Sequence, residues 1–182
     1  MKTLSKTEVE TIISQGKVLI EQEINYIIDL LQKEHPGVHR VIYGEPSDTI
    51  AFINKDMADL YLELSFDVVW MFYKVFGKPP TMQDHEAWVK KKLSLLDAEL
   101  KSLSKEFQMN GKFRNTLQER FVAKSLNSEI QLALLQYLEN EVRKYVSFNK
   151  ERSEASLLTT NLLFVLVRLF GDLYALKPTK MA

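Results

Sequence analysis

The stretch that decides the fold covers residues 56–77 and reads DMADLYLELSFDVVWMFYKVFG. It contains no proline, and its one glycine is its last residue, which predicts a helix that ends just before Gly77. Four carboxylates recur in it every three or four residues, so they share one side of the helix. They are Asp56, Asp59, Glu63 and Asp67. Nearly all other positions are apolar, and a helix with so narrow a polar arc belongs near the centre of a helical bundle.

The rest of the chain also favours helices, because it contains only 6 Gly and 5 Pro among 182 residues. Apolar residues at helical spacing predict a first helix over 7–34, which ends before Pro36. A seam of apolar residues from Val89 to Phe107 predicts a long helix packed against its neighbours. We therefore expect a mainly α protein, a single helical-bundle domain of residues 1–182 with about five to six helices.

Residues 38–54 are the one stretch with strand character. Two runs rich in β-branched and aromatic residues flank the sequence Gly44-Glu45-Pro46-Ser47-Asp48, which is typical of a turn. This pattern predicts a small two-stranded β-hairpin. The alternative is that the segment extends the following helix, because its apolar residues also fit a helical period. In either case Asn54 is a suitable N-cap for the helix that follows.

Composition excludes several classes of function. The chain has no cysteine, so it forms no disulfide and no cysteine-ligated metal site. Its formal net charge is zero, which makes nucleic acid an unlikely partner. The N-terminus lacks the apolar core of a signal peptide, and polar residues break the apolar run over 157–176, which indicates a buried helix and not a membrane span. We expect a cytoplasmic protein that does not bind membranes.

The acidic row admits two interpretations. Carboxylates at this spacing could hold a divalent cation, and Glu23 and Glu141, which occupy expected apolar positions on other helices, could face them. Asp59, Glu63, Asp67, Glu23 and Glu141 would then form a Mg or Mn site of a hydrolase-like bundle. Alternatively the row faces water, because acids near the start of a helix suit its dipole without any metal.

Two further residues complete the candidate ligand site. Arg168 lies on a narrow polar stripe of the last helix, where it could reach the acidic row or an anionic ligand across a cleft, or pair locally with Asp172. Trp70 belongs to an aromatic patch that could line a pocket. The candidate ligand-binding residues are Asp59, Glu63, Asp67, Trp70 and Arg168.

The sequence contains no convergent catalytic set, since it has neither a phosphate-binding loop nor a nucleophile elbow. We therefore predict a non-enzymatic helical module that binds a protein partner or a small ligand and needs no cofactor. The metal-dependent hydrolase is the alternative function. Apolar seams such as Val89 to Phe107 also suit a homodimer interface.

Overall fold

The computed structural model describes residues 2–82, 84–103, 110–126 and 131–176. It is mainly helical, as predicted, and the described residues include no strand. A short 3₁₀ helix over Lys150–Arg152 precedes the last α-helix. The α-helices are α1 (Lys6–Gly16), α2 (Glu21–Glu34), α3 (Pro36–Tyr43), α4 (Glu45–Ile53), α5 (Lys55–Phe76), α6 (His85–Leu103), α7 (Gly111–Leu126), α8 (Leu132–Ser147) and α9 (Ser153–Tyr174).

Helix α5 lies at the centre of the bundle, as its narrow polar arc predicts. It packs against α1, α3, α4, α8 and α9. The Asn54 side chain caps it by accepting a hydrogen bond from the Met57 backbone N–H, at 3.0 Å. The helix ends at Phe76 because Gly77 takes a φ of +79°, a conformation that glycine adopts without strain. Both predicted ends of α5 are therefore confirmed.

The prediction of a single helix over 7–34 is wrong, because residues 17–20 interrupt the helix and separate α1 from α2. Gly16 is buried at the end of α1, and a Cβ built there would lie only 2.6 Å from Cδ1 of Trp70. The next helix begins where a Glu23 carboxylate oxygen accepts a hydrogen bond from the Ile20 backbone N–H, at 3.1 Å. Glu23 is thus a capping residue of α2, which satisfies a backbone donor that the helix leaves free.

The predicted β-hairpin near residues 38–54 is also wrong, since this segment forms α3 and α4. Each of these helices has a proline in its first turn, Pro36 and Pro46, where a missing N–H costs nothing. Of the expected turn at 44–48, only Gly44 lies between the two helices, and residues 45–48 form the first turn of α4. Burial of Val41 and of other β-branched residues against α5 outweighs their preference for strands.

The described residues contain more helices than the predicted five to six. The seam of α6 is buried at Val89 and Leu96, while its predicted end at Phe107 lies outside the described residues. By length and composition alone, Lys150–Tyr174 could cross a membrane, but 56% of its most apolar window is buried inside the protein. Core helices of soluble proteins pass the same test, so this observation is weak evidence for a span.

Candidate functional site

The acidic row of α5 runs from open surface into the protein interior. Asp56 pairs with Arg152 at 2.8 Å, and half of its side chain is exposed. Asp59 is exposed, and Glu63 is exposed and lies 3.7 Å from the Lys17 ammonium group. Asp67 differs from all of these, because only 4% of it is accessible. One helix face therefore carries three exposed carboxylates and, at its inner end, one buried carboxylate.

The environment of Asp67 disfavours its charged form. Burial raises the pKa of its carboxyl from 3.8 to about 7, and Glu63 and Glu141 add repulsion, while Lys17 and the Tyr137 hydroxyl act in the opposite direction. Its Oδ2 atom makes no hydrogen bond with any described residue. A buried oxygen without a donor is costly, which makes it a natural contact for a ligand that brings one.

Asp67 is one of the residues that line an open cavity of about 350 Å³. The lining residues come from the end of α1, the residue after it, the beginning of α2 and one face of α5. Its lining combines apolar walls with three charged side chains. The lining residues are Gly16, Lys17, Ile24, Glu63, Phe66 and Asp67. This composition is typical of small-ligand sites, in which a few polar groups orient a ligand against apolar walls.

The cavity lies at the break between α1 and α2. Gly16 lets α1 approach Trp70, whose indole N–H donates a hydrogen bond to the Ile12 carbonyl at 2.8 Å. This contact fixes α1 against α5, and the chain then turns away over residues 17–20 before α2 begins. Trp70 is consequently a residue that positions the wall of the cavity and does not line it.

The predicted metal ligands do not converge. Glu23 caps α2, Asp59 is exposed, and Glu141 is half-buried on α8, where its charge acts on Asp67. Among the residues that the structure describes, no group of three or more His, Asp or Glu side chains is placed to hold a metal ion. The geometry thus gives no support to the alternative Mg or Mn site.

Arg168, for which the sequence left open a contact with the acidic row or a local pair with Asp172, forms an ion pair with a residue of another helix. Arg168 is buried and its guanidinium lies 3.1 Å from Glu99 of α6, whose other carboxylate oxygen lies 2.7 Å from Arg120 of α7. Asp172, the predicted local partner, pairs with Lys92 at 2.7 Å. These contacts join α6, α7 and α9, so Arg168 holds helices together in this structure.

The sequence did not reveal a buried pair of histidines. His35, which joins α2 to α3, and His85, which opens α6, are buried with ring centroids 4.6 Å apart. No ring nitrogen of the pair makes a hydrogen bond of ordinary geometry within the described part of the chain. Burial and the nearby His85 lower the pKa of His35 to about 4. Spacing in the sequence gave no signal for a pair whose members are fifty residues apart.

A larger groove, of about 770 Å³, lies between α3, the start of α4 and α6. Val41 and Val89 contribute apolar surface to it, and Arg40 and Glu86 form an exposed ion pair of 2.7 Å at its edge. These two charges already satisfy each other and are well solvated. The smaller cavity at Asp67 is therefore the better candidate site, because one of its lining residues is a buried carboxyl group with an oxygen that accepts no hydrogen bond from the described residues.

Comparison with known proteins gives no family assignment: no family model matches the chain, and no curated protein or solved structure matches it.

Proposed function

We propose that this chain is a non-enzymatic, cytoplasmic binding module that recognises a cationic group in the Asp67 cavity. The observation that carries the proposal is Asp67 itself, a carboxylate on the central helix that is buried, lines a cavity and has an oxygen that accepts no hydrogen bond from the described residues. Such a buried charge lowers the free energy of unfolding, and an asparagine, whose amide has the same shape, would avoid this loss. Its presence is best explained by a ligand that supplies the missing donor.

The charges around the cavity favour a cation. Among the described residues, Glu63 and Glu141 disfavour the charged form of Asp67, while Lys17, which favours it, is already paired with Glu63. A guanidinium or ammonium group would donate hydrogen bonds to Asp67 and reduce the mutual repulsion of the three carboxylates. A short aliphatic chain attached to that group would contact Ile24 and Phe66, which line the walls.

The volume of the cavity sets the size of the ligand. At about 350 Å³ it lies at the small end of the range for ligand pockets, about 300–1,000 Å³. It suits one guanidinium or ammonium group with a few carbon atoms. Both a free amine and a basic side chain of a protein meet this requirement.

The test uses n-butylguanidinium as the probe and neutral n-butylurea, which has nearly the same shape, as its control. We expect the guanidinium to shift the backbone amide NMR signals of Gly16, Lys17 and Asp67 with a Kd on the order of 1 mM, and n-butylurea to leave them unchanged. Asp67→Asn should abolish the shifts. Asp59→Asn, an exposed position on the same helix face, is the matched control and should preserve them.

The pH dependence provides a second readout. Binding requires the ionised carboxylate, and its pKa is about 7 in the free protein. Affinity for the guanidinium should therefore fall as the pH is lowered from 8 to 5. Equal shifts with n-butylurea, or binding that survives in Asp67→Asn, would refute the proposed recognition of a cation by Asp67.

A further inference from the structure

Exposed apolar side chains stand beside the Asp67 cavity. The connection between α1 and α2, residues 17–20, which we call the corner, presents Val18 and Ile20 with 80% and 60% of their surfaces accessible. Val18 directly follows Lys17, which lines the cavity. Ile20 lies one helical turn before another lining residue, Ile24, whose backbone N–H donates to the Ile20 carbonyl at 3.2 Å. Val18 and Ile20 are thus exposed residues of the connection that links the lining residues Lys17 and Ile24.

Acidic side chains surround the corner. Glu21 and Glu23 are exposed in the first turn of α2, and Glu63 is exposed at the cavity. The one basic residue of the corner, Lys17, is paired with Glu63. A positively charged surface would approach this region favourably, whereas an acidic one would be repelled.

A free amine would fill the cavity and leave Val18 and Ile20 in water. A protein segment that inserts one basic side chain would also cover them with the residues on either side. A central anchor in a pocket surrounded by apolar contacts is the usual anatomy of an energetically important interface site.

We propose that the corner and the Asp67 cavity together form a docking surface for a protein partner that inserts an Arg or Lys side chain flanked by apolar residues. The proposal rests on the proposed function, since it identifies the cationic ligand as a side chain of a protein. The partner's basic group contacts Asp67, and its flanking residues cover Val18 and Ile20.

The test compares three probes by calorimetry or NMR titration of the full chain. The first is the acetylated and amidated pentapeptide Leu-Val-Arg-Val-Leu. The second has Gln in place of Arg, and the third has Ser in place of all four apolar residues. We expect the first peptide to bind about tenfold tighter than the serine-flanked peptide and the glutamine peptide not to bind.

Variants of the corner separate the two contributions. In a Val18→Ser, Ile20→Ser double variant the apolar-flanked and serine-flanked peptides should bind with equal affinity. The substitutions are tolerable, because both side chains are exposed and serine is a favoured residue at the N-cap position that Ile20 occupies. Phe52→Ser, which removes an apolar side chain that is 94% exposed on α4, is the matched control and should change nothing.

The outcomes distinguish this proposal from the one on which it rests. Binding of n-butylguanidinium without any gain from apolar flanks would overturn the docking surface and leave the cation site intact. Failure of n-butylguanidinium to bind would remove both. Sedimentation of the chain alone should show a monomer, and self-association that the corner variant abolishes would also overturn the proposal, because the occupant would then be a second copy of the chain.

Discussion

Replacement of Asp67 by asparagine should stabilise the protein, and by an amount that depends on pH. The amide keeps the shape of the carboxyl group and removes the charge that burial disfavours. In the folded chain the Asp67 pKa is raised from 3.8 to about 7. Between these values the folded state binds more protons than the unfolded state, so the free energy of unfolding of the wild type falls as the pH rises.

The size of the effect follows from the shift. Each pKa unit corresponds to about 1.4 kcal/mol, so a shift of about three units costs the wild type about 4 kcal/mol above pH 7. Asp67 is only 4% accessible, so solvent screening reduces this figure little. The asparagine variant should thus gain about 4 kcal/mol at pH 8 and almost nothing at pH 4.

Urea unfolding followed by far-ultraviolet circular dichroism, from pH 4 to pH 8, measures the difference directly. In a thermal melt at pH 8, a gain of this size corresponds to about 10 °C for a chain of this length. Asp59→Asn, exposed on the same helix face, should differ from wild type by no more than about 0.5 kcal/mol at any pH.

A gain that does not vary with pH would refute the reasoning, because the stabilisation would then have a cause other than ionisation. A loss of stability at pH 8 would refute it more directly. It would mean that the charged form of Asp67 makes favourable contacts in the folded chain.

Two further predictions concern other buried titratable groups, His35 and Glu99. Burial and the neighbouring His85 lower the pKa of His35 from 6.5 to about 4, so the free energy of unfolding should fall by about 3 kcal/mol in total as the pH drops through this range. The titration of Asp67 has the opposite effect and masks this loss in the wild type. We therefore expect to see the loss in urea unfolding of Asp67→Asn, and we expect the added substitution His35→Gln to remove it. Glu99→Gln should lower the free energy of unfolding by about 3 kcal/mol in the same assay, because a carboxylate that is 1% exposed between two guanidinium groups loses its charge. The control Asp97→Asn, at an exposed pair with Lys101, should lower it by no more than about 0.5 kcal/mol. Equal losses for the two variants would contradict the role assigned to Glu99.

The helical class and both ends of α5 could be predicted because they depend on local signals. Asn54 caps the helix and Gly77 ends it, and both act within one turn of the chain. The break after Gly16 could not be predicted, because the apolar residues on both sides of it keep a helical period, and the sequence does not show the contact between Gly16 and Trp70. That contact depends on how α1 packs on α5, which periodicity in α1 does not contain.

The sequence indicated only part of the candidate site, because contacts between helices again decide the rest. Helical spacing places Glu63 and Asp67 on one side of α5, but it gives only an angle around the helix axis. It does not say which neighbour covers each turn, so it could not separate the exposed Glu63 from the buried Asp67. The partner of Arg168 was missed because Glu99 is distant in the sequence and lies in a stretch whose charges suggest solvent exposure.

In the docking surface proposed above, the corner between α1 and α2 separates binding specificity from the integrity of the fold. Asp67 sits on the central helix, where substitution affects the whole bundle, while Val18 and Ile20 lie on a four-residue connection with most of their surfaces in water. Connections of this kind accept substitutions and insertions far more readily than core helices do. Over evolutionary time the corner can therefore diversify and change which partner is bound, while the charged anchor and the bundle that carries it stay constant.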